Sequence, residues 1–288
     1  MRHDRAPEMF IMIAVIAALA MCGTTPAADP DPGAITGYAS LESLLDVARR
    51  AQKADLESWG RYRFRRQAVR AKLDSDGRVS SRTDVESIVT PLPVTTSTGG
   101  PPRFDETLVR LDGAEPTAAQ VDHHRQDAPF SRRYATTIGN EGAEEEGGYS
   151  LSFLLRMSSY RHDGEEKVDG QLCHRVRFEA DTGAKGDDLE TRFARSVAGT
   201  LWLTVEGAHM ARASVHSVTP IDITFGIVRL SELEIEMVSQ ALAAGPWVPR
   251  LIETRSTVRI LGVPMRRLSR YSYSEFVPAS AVPAAAGR

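Results

Sequence analysis

The chain has 288 residues, of which 42% are hydrophobic and 25% charged, and 35 basic side chains set against 38 acidic ones leave a net charge of -3. That length suits one large domain or two small ones. The slightly acidic balance excludes nucleic acid as the main partner, which needs a clearly basic footprint. Only two cysteines occur, Cys22 and Cys173, so ordinary apolar burial rather than an internal disulfide must hold the core.

The first 27 residues read as a secretion leader. Arg2 and Arg5 form a weakly basic start, and Met9–Met21 is an unbroken apolar run too short to span a bilayer comfortably. Two processing routes are open. Thr25-Pro26-Ala27 offers small residues before a cut after Ala27, while Leu19-Ala20-Met21-Cys22 resembles a lipobox in which Cys22 is acylated and becomes the new N-terminus. Met21 is larger than the residue normally found before such a cysteine. Residues 28–39, rich in Pro, Asp, Gly and Ala, read as a linker.

Ser40–Ser58 has helical spacing, with Leu41, Leu44, Leu45, Ala48, Ala51, Leu56 and Trp59 near one stripe and Arg49, Arg50, Lys53, Asp55 and Glu57 mostly off it. Ser40 is placed to cap the helix N-terminus, and Gly60 ends it. Arg61–Leu73 and Gly77–Thr90 then form a long hairpin around Asp74-Ser75-Asp76-Gly77. Pro91–Pro102 is a loop, Phe104–Leu111 a short strand, and Ala118–Gln126 a polar helix capped by Thr117. Asn140–Gly148 reads as an acidic loop, and Tyr149–Met157 as a short helix.

From Ser159 onward the pattern is of strands. In Leu172–Ala180, Leu172, His174, Val176, Phe178 and Ala180 share one face and Cys173, Arg175, Arg177 and Glu179 the other. Thr200–Val205 repeats the alternation. Met210–Val218, the stretch around Leu233, Ile235 and Met237, Val248–Leu261 and Met265–Phe276 follow, joined by short turns. Consecutive strands so joined pair antiparallel. Asp181–Ala198 reads as an irregular polar insertion, and residues 278–288 as a low-complexity, disordered tail.

The candidates for chemistry are few. His123 and His124 are neighbours on a helix, about 100° apart, and do not make a metal-binding face. His162 lies at a glycine-containing turn and is expected to face solvent. His174 and His216 each sit inside a strand pattern, His174 on the apolar face with Val176 and Phe178, and both read as core histidines satisfied by one hydrogen bond rather than as ligands. Cys173 alternates onto the face of Arg175 and Arg177, cations able to lower a thiol pKa, although a silent, partly buried thiol is the plainer reading. The chain has no nucleophile elbow, phosphate loop or dinucleotide fingerprint. The expectation is a protein without catalytic residues, cofactor or metal.

One arrangement does point to function. An amphipathic helix precedes an antiparallel sheet whose inner face is apolar. If the helix covers that face loosely, an apolar cleft remains for an acyl chain or an apolar peptide side chain. If it covers the face tightly, the same residues are plain core. By alternation, Val176, Phe178, Leu201, Leu203, Ile235 and Met237 are the candidate cleft-lining residues.

Several segments carry a resemblance in their order along the chain: Trp59-Gly60-Arg61-Tyr62-Arg63-Phe64, Leu108-Val109-Arg110-Leu111-Asp112-Gly113, and Val168-Asp169-Gly170-Gln171-Leu172-Cys173-His174-Arg175-Val176 ahead of Gly199-Thr200-Leu201-Trp202-Leu203. Pro220-Ile221-Asp222-Ile223-Thr224-Phe225-Gly226, Trp247-Val248-Pro249-Arg250 and Tyr271-Ser272-Tyr273-Ser274-Glu275-Phe276 complete it. Over residues 40–277 the chain resembles uncharacterised exported bacterial proteins related to the outer-membrane lipoprotein-sorting (LolA/LolB-like) superfamily. The resemblance implies an α+β fold: a curved antiparallel sheet, an incomplete and unclosed β-barrel, with an N-terminal amphipathic helix and short helices over the open side. It also implies a periplasmic or envelope protein that holds lipid or lipoprotein acyl chains. The alternative is a structural or regulatory interaction domain with an envelope protein partner and no lipid. Contact with a membrane is expected only through the leader or a lipid on Cys22. No specific cavity residue carries over, because the matching motifs are strand and turn elements, and the long polar insertions at Pro91–Pro102, Pro129–Gly148 and Asp181–Ala198 depart from the compact carriers.

Overall fold

The computed structural model describes residues 35–92, 104–127, 159–186, 189–224, 227–243 and 245–281. The leader with Cys22, the Pro91–Pro102 loop beyond Leu92, the stretches read as the acidic loop and the Tyr149–Met157 helix, and the end of the tail lie outside them. Helix α1 (Leu41–Trp59) leads into β1 (Tyr62–Leu73), β2 (Val79–Pro91), β3 (Phe104–Leu111) and α2 (Ala118–Asp127). Then come β4 (Tyr160–Val168), β5 (Gln171–Phe178), α3 (Leu189–Ala194), β6 (Val197–Thr204), β7 (Met210–Ser217) and β8 (Ile221–Thr224). Strands β9 (Val228–Ala241), β10 (Trp247–Ile260) and β11 (Val263–Pro278) close the order.

The eleven strands among the described residues form one antiparallel sheet in the order β3-β2-β1-β11-β10-β9-β7-β6-β5-β4, with β8 pairing β9 beside β7. Its ends, β3 and β4, do not meet, so the sheet is curved but not closed into a barrel. Register shifts bend the ladders between Arg63 and Arg65, Trp202 and Leu203, His162 and Glu165, and Pro249 and Leu251; each extra residue kinks and twists its strand. Two tight turns fix register through residues with positive φ. They are Asp169-Gly170 (φ 48° and 85°) between β4 and β5, and Leu261-Gly262 (φ 49° and 84°) between β10 and β11, and such turns match the twist of the strands they join. The second turn places Val263 and Pro264 inside β11 opposite Ile260 and Arg259. The sequence suggested a break there. Pro264 is tolerated because β1 pairs with β11 only from Arg266 onward, so its missing N–H leaves no ladder bond unmade.

Helix α1 starts as its capping residue dictates: Ser40 Oγ accepts from Ser43 N–H at 3.1 Å. Its buried stripe is Leu44, Leu45, Ala48, Gln52, Asp55 and Trp59. Asp55 therefore lies on the stripe, not off it. At α2, Gln120 Oε1 accepts from Thr117 N–H at 2.8 Å while Thr117 Oγ1 accepts from Gln120 N–H at 3.4 Å, a reciprocal cap. The stretch read as irregular, Asp181–Ala198, contains α3 and the first residues of β6. Phe193 on α3 is buried in the main core, the apolar anchor that organises this charged segment. Ile35 and Tyr38, just ahead of α1, also pack against that core.

Candidate functional site

The register of the central strands builds a continuous apolar floor. Across β5, β6, β7 and β9, Phe178, Gly199, Val215 and Ile235 form one row, and Val176, Leu201, Ala213 and Met237 the next. His174, Leu203 and Met210 form a third row over the first three of these strands. The six candidate residues thus lie together on one face. Val176, Phe178, Leu201 and Leu203 are fully buried, Met237 nearly so, and Ile235 half-buried. Leu44, Leu45 and Ala48 of α1 pack in the same cluster. Gly199 is required for the first row: a Cβ there would sit 2.1 Å from the Ser214 carbonyl oxygen and 2.8 Å from Cζ of Phe178.

The other face of the same strands is polar. Arg175 pairs with Glu166 (3.1 Å) and Asp163 (3.0 Å), Arg212 with Glu236 (3.1 Å), and Arg255 with Glu253 (2.9 Å). Exposed pairs of this kind contribute little stability each, but they keep this face in water. His216 lies on this side, exposed and opposite Ala198 of β6, and is not the core histidine its strand pattern suggests, whereas His174 lies buried opposite Leu203 on the floor; the two histidines are not brought together.

His174 meets His162 instead. His162 is half-buried within β4, not on a solvent-facing turn, and its Nε2 lies 3.3 Å from His174 Nδ1. Glu165 Oε1 is 3.6 Å from the same Nδ1, and the Tyr38 ring packs edge-on at 5.5 Å. Burial first, and then His162, pushes the His174 pKa below its ordinary value, against a weaker upward pull from Glu165 and the Thr36 backbone. Cys173, beside it, is wholly buried. Burial and then the charge of Glu166 push its thiol up to about 11. The arginines on that face do not activate it, and it is no nucleophile at neutral pH. Among the described residues, no three His, Cys, Asp or Glu side chains group to hold a metal ion.

The far half of α1 is anchored by polar contacts. Asp55 Oδ1 accepts from the Trp247 backbone N–H at 2.9 Å, and Oδ2 from His209 Nδ1 at 2.7 Å. His209 is stacked on the Trp247 ring, with centroids 5.9 Å apart. One turn before Asp55, Gln52 is 6% exposed, and both its Oε1 and its Nε2 are buried without a hydrogen-bond partner. An unmet buried polar group costs about 1–3 kcal/mol, so Gln52 stands apart both from the apolar packing of Leu44, Leu45 and Ala48 before it and from the satisfied Asp55 after it.

The inner face of β1, β2 and β3 is different again. Arg66 and Glu106, 1% and 2% exposed, lie on the same side as Phe64, Val89 and Phe104, which form a second apolar cluster with Trp59, Val248 and Tyr273. Arg66 Nη1 is 2.5 Å from Glu106 Oε1, which also accepts from Ser87 Oγ at 2.5 Å. His124 Nε2 approaches the same oxygen at 3.5 Å, so this histidine reaches into the fold from α2 and is not an exposed residue of a polar helix. The Arg66 guanidinium also lies over the Tyr271 ring at 5.3 Å. Burial alone raises the Glu106 pKa, but Arg66, with help from His124 and Ser87, overrides it and holds it at about 2. Arg66 on the face of Phe64, and Glu106 on the face of Phe104 and Leu108, are legible by alternation. Gln52 and Asp55 are legible from the i, i+3 and i, i+4 spacing with Ala48 and Trp59.

No protein-family model matches the chain, and no curated protein does. Among solved structures, it is similar to a DUF1329 family protein from Desulfovibrio piger at 11% identity and a TM-score of 0.36, covering 84% of this chain and 94% of that one. It is also similar to the lipoprotein LppX of Mycobacterium tuberculosis (12% identity, TM-score 0.26, 82% and 96% covered). A third is LprF of Mycobacterium bovis (13% identity, TM-score 0.26, 87% and 100% covered). Among the described residues, no helix is long and apolar enough to cross a membrane.

Proposed function

We propose that this chain is a non-enzymatic binding protein of the cell envelope that holds an acyl chain, of a lipid or a lipoprotein, on the apolar floor beneath α1. The observation that carries this reading is the row-by-row alignment of Val176, Phe178, Leu201, Leu203, Ile235 and Met237 on one face. Leu44, Leu45 and Ala48 of α1 pack in the same cluster as that face, together with Phe193 of α3 and with Ile35 and Tyr38 ahead of α1. Burial of apolar chain is worth on the order of 0.8 kcal/mol per methylene. An acyl chain that replaces the three α1 side chains recovers what their removal costs and adds to it with length. The Asp55 contacts to His209 and Trp247 then serve as the hinge about which the N-terminal half of α1 lifts.

Export through the leader places the protein in the periplasm, and acylation of Cys22 would anchor it to the outer membrane. Intact mass of the processed protein distinguishes a cut after Ala27 from a lipidated Cys22. Native mass spectrometry of the processed protein, before and after exposure to phospholipid vesicles, tests the binding reading. Adducts of acyl-lipid mass are expected, and a protein that stays at its bare mass overturns it. Complete burial of four of the six floor residues favours the alternative, an envelope interaction domain with a filled core. Its signature is bare mass together with a stable protein partner in pull-downs.

A further inference from the structure

Gln52 is the one residue of the α1 stripe whose environment does not account for it. Its neighbours along the stripe are satisfied in opposite ways. Leu44, Leu45 and Ala48 are packed in apolar surroundings, and Asp55 is engaged at both oxygens. Between them Gln52 brings one donor group and one acceptor into a site 6% exposed, and neither finds a partner. Leucine or methionine would fill the same space without that cost and with equal or better helix propensity. A buried carboxamide with both ends unmet is a group waiting for a partner that brings both a carbonyl and an N–H.

We infer that Gln52 is a recognition group for an amide-linked acyl chain. Its Nε2 donates to the ligand's amide carbonyl, and its Oε1 accepts from the ligand's N–H, while the hydrocarbon lies on the floor of Val176, Leu201 and Met237. An ester offers only the carbonyl and leaves Oε1 unmet, so the site discriminates between the two linkages. This rests on the acyl-binding reading above and names its ligand class. Two sources present the same chemistry: an N-acylated lipid, and the N-acylated terminal cysteine of a lipoprotein.

The experiment uses the processed wild-type protein and Gln52→Met, with displacement of a fluorescent fatty acid as the readout. The competitors are N-palmitoylethanolamine, ethyl palmitate and a synthetic N-palmitoyl-cysteinyl peptide. Wild type is expected to prefer the two amides over the ester by about tenfold. Gln52→Met is expected to lose that preference, read as the ratio of amide to ester competition within the variant so that any change in its affinity for the probe cancels, and to unfold at an equal or higher urea midpoint. Tighter binding of the peptide than of the ethanolamide assigns the lipoprotein source, and equal binding assigns the shared amide alone. A preference that survives in Gln52→Met overturns the inference while leaving acyl binding intact. So does a lower unfolding midpoint, which would give the carboxamide a structural partner. Wild type that binds no acyl probe at all overturns the underlying reading and the inference together.

Discussion

Replacing Glu106 by glutamine tests the most unusual feature of the concave face. The substitution keeps shape and one acceptor but removes the charge that faces Arg66 at 2.5 Å. Arg66 is then left 1% exposed without its counter-charge, and breaking a buried pair from one side costs about 3–5 kcal/mol. The carboxylate's own displacement gives an independent figure. A fall from 4.5 to about 2, at about 1.4 kcal/mol per pKa unit, is on the order of 3 kcal/mol. Because the folded pKa is depressed, this stabilisation is fully present above the ordinary value of 4.5 and is lost as pH falls toward 2. Urea unfolding followed by tryptophan fluorescence reads it, since Trp59 packs on Phe64 and Tyr273 in the adjoining cluster. Wild type should exceed Glu106→Gln by about 3 kcal/mol near neutral pH, and that gap should narrow by on the order of 1 kcal/mol near pH 3.5. The double variant Arg66→Met, Glu106→Leu should recover most of the loss, as apolar replacements of buried pairs do. A gap below about 1 kcal/mol, or one that does not change with pH, would refute the assignment of Glu106 as a buried carboxylate held ionised by Arg66.

Gly199→Ala should destabilise by upwards of about 3 kcal/mol, because its Cβ overlaps the Ser214 carbonyl and the Phe178 ring; an unchanged thermal midpoint would show that the first row of the floor is not packed as described. Asp55→Asn keeps one acceptor for two donors and should cost about 2 kcal/mol, measured by urea unfolding, where a midpoint equal to wild type counts against the anchor. In a Cys22→Ser background, Cys173 should react with a thiol reagent at mildly alkaline pH only as fast as the protein unfolds, since its thiol is buried and shifted to about 11. Rapid stoichiometric labelling of the native protein is the contrary result.

Strands were the most legible part of the sequence, because alternation with a period of two survives wherever one face is buried and the other is wet. Phe104–Leu111 and the Asp169-Gly170 turn are placed as their residues imply. Strand β8 is not legible because four residues, Ile221–Thr224, carry too few alternations. Nor is helix α3, because a polar, six-residue helix is specified by one anchor, Phe193, and not by its own periodicity. The floor residues were legible in kind, and their alignment into rows depended on registers that no local pattern encodes. His162 departs from the solvent-facing turn its neighbours suggest because a bulge after it carries its ring toward His174. The polar members of the α1 stripe are hard to read for a physical reason. Side chains such as Gln52 and Asp55 are rarely buried, so a stripe built on hydrophobicity passes over them.

The concave face is therefore not uniformly apolar, and the position of its charges decides where a ligand can lie. Arg66 and Glu106 sit under α2 on the β1-β2-β3 side, while the six floor residues occupy β5, β6 and β9. A buried ion pair with a short hydrogen bond from Ser87 and the Tyr271 ring under its guanidinium is electrically neutral as a unit, but it would offer an acyl chain no gain, because burying apolar carbon against it still leaves polar atoms to satisfy. If the chain binds an acyl ligand as proposed, that ligand is confined to the half beneath the N-terminal turns of α1. The Asp55, His209 and Trp247 contacts mark the boundary, and Gln52 stands one helical turn inside it. If the two halves were exchanged in role, the ligand would have to displace Trp59, Phe64 and Tyr273, whose rings interlock edge-on. On the proposed reading, moving the aliphatic side chains of α1 is the less costly opening, and the aromatic cluster is the end that stays in place.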